Sequence, residues 1–179
     1  MDFMILENVK KFVFLFIIGT QMHASSKDDT PPYVEYAKEI MNPFITDSEK
    51  KYDLDCIGTG GRFAYKVAGI NISFVAFRKG TIEEARTLEV KMIEALLARI
   101  NADEKIRPFL SEYPFKSKDL HISIAFQKKD GNYYTDGSIA YVSHIKNRLF
   151  YDAEDSKTGQ LIEILEEPYE EALKIVQRK

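Results

Sequence analysis

Residues 81–100 read TIEEARTLEVKMIEALLARI, and this stretch decides the fold. Ile82, Ala85, Leu88, Met92, Ile93, Leu96, Leu97 and Ile100 recur at the three- and four-residue spacing of an amphipathic helix. Glu83, Glu84, Lys91, Glu94 and Arg99 fall largely off that stripe. Thr81 followed by Glu84 is a capping-box signature at the start, and Asn101 is placed to close the end. A helix with one long apolar stripe must bury it, and the residues on either side supply what it covers.

Upstream, Leu54 to Ile57, Phe63 to Val67 and Ile70 to Phe77 are β-type runs, with Gly58, Thr59, Gly60 and Gly61 expected to form the turn of a hairpin. The glycine run lacks both the Gly-Lys-Ser/Thr ending of a phosphate loop and a following helix start. Downstream, Leu120, Ile122, Ile124 and Phe126 alternate with His121, Ser123, Ala125 and Gln127, which predicts a strand. A Gly/Tyr-rich loop over 130–137 leads to a strand over Ile139–His144, and Lys146 with Asn147 marks a reversal before Leu149–Ala153. Leu161–Leu165 suits a strand or a helix. Pro168 suits the first position of a final helix carrying Tyr169, Ala172, Leu173 and Val176. Before the sheet, Val34, Ala37, Ile40, Met41 and Phe44 predict another helix, with Pro43 expected to kink or shorten it. The expected architecture is α+β: an antiparallel sheet of about four to six strands with one long helix on a face and a C-terminal helix.

The first residues belong to another kind of signal. Phe12 to Ile18 is an unbroken apolar run, preceded by Lys10 and Lys11 and followed by the small residues Ala24, Ser25 and Ser26. That order is the layout of a secretory signal peptide, and the run is shorter than the roughly 20 apolar residues a membrane-crossing helix needs. The expected division is a cleaved signal peptide over 1–24, a disordered or extended lead-in over 25–32, and a single domain over 33–179. Cleavage after Ala24 or after Ser26 fits the small-residue rule. The destination is then the periplasm or the medium, with the membrane reached only through an uncleaved N-terminus.

Composition narrows the function classes. The 179 residues carry 25 basic and 28 acidic side chains, a net charge of -3, and 45% are hydrophobic. A chain so balanced in sign is not built around nucleic acid, and it is too apolar to be disordered. The single cysteine, Cys56, rules out an intramolecular disulfide and reads as buried filler.

For chemistry, the string Leu120-His121-Ile122-Ser123-Ile124 resembles one half of the signature of the two-histidine phosphoesterases. That resemblance implies a phosphate contact from Ser123 and proton transfer by His121. His144, on the next expected strand, is the other imidazole available, though no hydroxyl residue follows it at the matching position. If the two strands pair, His121 and His144 are expected to share a face and act as base and acid. No complete metal-ligand pattern and no cofactor fingerprint is present; Asp130, Asn132 and Asp136 read as a solvated turn. Tyr133, Tyr134 and Tyr141 gather at one sheet end, as a recognition surface does. The favoured expectation is a non-catalytic bacterial binding module for a protein, peptide or envelope component. The alternative is a small hydrolase, with phosphodiesters as candidate substrates and His121, Ser123 and His144 at its centre.

Overall fold

The computed structural model describes residues 30–178, and the segment expected to be a signal peptide lies outside them with most of the lead-in. Three helices and six strands follow in the order α1 (Pro32–Tyr52), β1 (Asp55–Arg62), β2 (Gly69–Ala76), α2 (Ile82–Ala102), β3 (Leu120–Phe126), β4 (Ile139–Ile145), β5 (Arg148–Glu154), β6 (Leu161–Pro168) and α3 (Tyr169–Gln177).

The six strands form one open sheet in sequence order, β1 to β6. Its pairs are antiparallel except β2 with β3, which run parallel. The sheet is therefore mixed rather than purely antiparallel, because α2 carries the chain back to the starting end before β3 begins, as a parallel neighbour requires.

Register decides which side chains face the helices. Ile70, Ile72, Phe74 and Ala76 of β2, Leu120, Ile122, Ile124 and Phe126 of β3, Val142 of β4, and Leu149 and Tyr151 of β5 join one core. Ala85, Leu88, Met92, Ile93, Leu96 and Ile100 of α2 fill that core from above, with Tyr33, Ala37, Ile40, Met41 and Phe44 of α1 packed in the same layer. Apart from Ile139, set off by the irregularity before Tyr141, one side-chain parity of each central strand is used, so the other parity forms a second sheet face.

Thr81 caps α2 by accepting a hydrogen bond from the Glu84 amide at 3.1 Å. The reciprocal half of the box is missing, since the Glu84 carboxylate accepts instead from Arg78 Nε at 2.8 Å. Thr81→Ala is therefore expected to cost about 1 kcal/mol, read as a lower urea midpoint at unchanged slope. At the other end the helix runs past Asn101, whose side chain donates to the Phe115 carbonyl and accepts from the Phe115 amide. Asp103 is the C-cap.

Further expectations are corrected by the fold, among them the β-type run Phe63–Val67, which lies between β1 and β2. Gly58, Gly60 and Gly61 lie within β1, and the reversal falls over 63–68. Positive φ is confined, among the described glycines, to Gly131, Gly137 and Gly159, so the glycine run has extended backbone and makes no turn. Gly61 serves close approach: a Cβ there would lie 2.5 Å from the Gly69 carbonyl oxygen. Likewise α1 is not shortened at Pro43. That residue is exposed, so the carbonyl it orphans is on the solvent side while the buried stripe continues to Phe44 and Ser48. The reversal at Lys146 and Asn147 is as expected, both with positive φ, the geometry of a tight hairpin. Leu161–Pro168 is a strand, and α3 starts one residue after Pro168.

Candidate functional site

The second sheet face carries no helix among the described residues, and its side chains follow from the register. One row across the strands runs Gly58, Ser73, Ser123, Ser143, Phe150 and Glu166. The row beside it runs Asp55, Val75, Ala125, Tyr141, Asp152 and Glu163. On the other side Gly60, Asn71 and His121 are aligned. The middle of the face is thus built from small side chains. Ser123 and Ser143 are buried between larger neighbours, with Tyr141, Phe150 and His121 half-buried around them. The result is a line of small side chains between larger ones, a trough whose serine floor is closed to solvent. Ser123 and Ser73 hydrogen-bond to each other, Oγ to Oγ, at 3.0 Å.

His121 and Ser123 share this face, as expected, but His144 does not. Because Ser123 pairs with Ser143, His144 falls in step with Ile122 and turns to the helix side. There it is wholly buried. Its Nδ1–H donates to the Leu120 carbonyl at 2.9 Å, and its ring meets Tyr169 edge-on at 5.2 Å. An odd offset between the two positions in the antiparallel ladder places their side chains on opposite faces. The shared face expected of His121 and His144 is therefore corrected. Burial lowers the basicity of both rings, bringing His144 down to about 4 against the opposing pull of the Leu120 carbonyl. Nε2 of each ring is buried without a hydrogen-bond partner.

On the helix side, His144 belongs to a partly buried polar cluster. Tyr169, at the start of α3, donates to Glu94 at 2.7 Å, and Tyr151 of β5 donates to Glu167 at 2.5 Å. Arg86 Nε donates to the same Glu167 oxygen at 2.7 Å, giving an ion pair with both side chains mostly buried. Burial, the carboxylate acceptors and nearby negative charge push both tyrosine hydroxyls up. Glu89 of α2 is wholly buried, and neither of its oxygens has a partner; burial holds its carboxyl well above the usual range. Sequence reasoning missed Glu89, yet it lies four residues from Ala85 and four from Ile93, squarely on the apolar stripe.

The three tyrosines are divided. Tyr141 is a strand residue of the open face, paired with Ala125 and Asp152, whereas Tyr133 and Tyr134 lie in the β3–β4 loop. The ammonium groups of Lys79 and Lys128 sit over the Tyr134 ring, 5.3 and 5.4 Å from its centroid. Lys79 also pairs with Asp136 at 2.5 Å. These contacts pin the loop against the residues preceding α2. Among the described residues no three His, Cys, Asp or Glu side chains form a metal-ligand set, and no helix is long and apolar enough to cross a membrane. Cys56 is half-buried, its thiol pushed up by burial. Comparison of the chain with protein-family models, curated proteins and solved structures finds no match in any of the three.

Proposed function

We propose that the chain is an exported bacterial binding module without catalytic activity, which holds a protein, peptide or envelope component on the helix-free face of its sheet. The observation that carries this reading is the hydroxyl-floored trough. A face without a covering helix among the described residues, with small residues at its centre and Tyr141 and Phe150 beside them, offers aromatic surface on which a ligand can pack. Export rests on the apolar run at residues 12–18 with its flanking lysines and small residues.

Selection of a random peptide library on the purified protein tests the trough. Enriched peptides are expected to lose at least tenfold in affinity for Ser123→Tyr, which fills the floor, and for Tyr141→Ala, which removes a wall, with thermal melts confirming that both variants fold. Ligands that ignore both substitutions would overturn the reading. So would hydrolysis of a chromogenic phosphodiester that disappears in His121→Ala. Amino-terminal sequencing of the exported form is expected to begin at Ser25 or Lys27.

A further inference from the structure

The last strand of the sheet has an outer edge that nothing among the described residues covers. Strand β6 pairs with β5 alone, so the backbone groups on its far side meet no other strand. Its side chains are unusually apolar for such a position: Leu161, Ile162 and Ile164 are 40%, 46% and 44% exposed. The opposite edge, β1, contains three glycines and displays only Ile57 among large exposed hydrophobics.

Charge says what would sit there. Glu163 is directly across from Asp152, and Glu154 lies two residues further along the same strand. Like charges in opposed positions repel. None of the three makes an ion pair among the described residues, while Glu166 and Glu167 are already held by Arg148 and Arg86. Partial burial raises the Asp152 carboxyl, with no cation offsetting it.

We infer that β6 is a docking edge for a second polypeptide, an extended segment alternating basic with aliphatic residues that adds to the sheet as a further strand. An added strand lies about 4.8 Å away. A lysine or arginine opposite Glu163 would neutralise the uncompensated carboxylates, and its neighbours, pointing to the other face, would cover Ile162 and the bulged Ile164. A second copy of this chain is the poorer occupant, because β6 against β6 would bring two acidic edges together. The inference rests on the binding reading above but is independent of the trough.

The test titrates the purified protein with a labelled eight-residue peptide alternating lysine and valine, with a glutamate–valine peptide as control. The cationic peptide is expected to bind at least tenfold more tightly than the control and to slow amide exchange over 161–166. Glu163→Lys is expected to weaken it at least tenfold, and Ile162→Ser with Ile164→Ser several-fold. Equal affinity for Glu163→Lys, or exchange protection appearing only at β1, would overturn the inference. Protection confined to 121–125 and 141–144 would overturn it too while leaving the trough standing. A dimer abolished by Glu163→Lys would replace the proposed partner with a second copy. Loss of the trough ligands alone, with lysine–valine binding intact, would sink the previous reading and spare this one.

Discussion

Glu89→Gln is expected to stabilise the protein increasingly as the pH rises above about 4.5. Glu89 is fully enclosed, and both of its oxygens lack partners. Arg86, the cation of the cluster among the described residues, is already committed to Glu167. The groups facing Glu89 from β5 and α3, Tyr151 and Tyr169, are neutral hydroxyls that feel its charge unfavourably. The native carboxyl therefore keeps its proton where the unfolded chain has released it. A group raised on folding contributes fully below its unfolded pKa and loses that contribution as the pH climbs to its native one. The slope is about 1.4 kcal/mol per pH unit while the native proton is held. Each pH unit at that slope changes the folding equilibrium about tenfold at most. Glutamine cannot ionise, so the gap between variant and wild type should widen over this range. Glu89→Leu should add a pH-independent gain of about 1–3 kcal/mol by removing the unmet polar atoms. Urea unfolding at pH 5, 6, 7 and 8 decides the matter, and parallel curves for wild type and Glu89→Gln would refute the assignment.

Glu89 also marks the boundary of what sequence can say. The α2 stripe is legible because eight apolar residues repeat at one spacing, and the Leu120–Phe126 strand because its alternation is unbroken. Helical spacing, however, reports a face and not what a polar residue on that face has for company. A glutamate at 89 looks like one more charge on a charged helix until the surrounding elements close over it. The glycines of β1 mislead for a related reason: Gly58 and Gly60 have open space where a Cβ would be, and composition alone cannot separate a turn from an extended edge strand. Parallel pairing of β2 with β3 is equally out of reach, since strand direction is set by where α2 lands.

The candidate site depends on a single quantity that the sequence does not carry, the β3–β4 register. Alternation predicts that His121 and Ser123 share a face, and they do. Whether His144 joins them turns on one residue of offset, and a one-residue shift moves a whole strand's side chains to the other side. With Ser123 opposite Ser143, the serines meet across the strands and the imidazoles part. The same register that separates the histidines builds the trough, so that one measurement, a crosslink or coupling between 123 and 143, bears on both.

For His144 the expected result has the opposite sign. Its ring is buried and neutral, donating through Nδ1 to the Leu120 carbonyl with Nε2 unmet, and burial brings it down to about 4 from the usual 6.5. Among the described residues no carboxylate pairs with it; the neighbour on its face is the Tyr169 ring, and the charge that acts on it, His121, also opposes protonation. The unfolded chain thus binds a proton that the native state refuses. A group depressed on folding contributes above its unfolded pKa and loses that contribution as the pH falls through the native one, so stability drops from about pH 6.5 toward pH 4, by about 3 kcal/mol in all. The ion-paired carboxylates act below this window, since their native values are lowered from an already acidic range. Between pH 4.5 and 6.5 the His144 slope and the Glu89 slope oppose each other, and the wild-type curve is expected to be nearly flat there. Each single variant should uncover the slope left behind: Glu89→Gln a stability that climbs with pH, and His144→Gln one that falls. The double variant should be flat again. His121→Gln, at a half-buried position on the other face, should perturb the curve least. A wild-type plateau that persists unchanged in both single variants would show that neither group titrates as its burial requires.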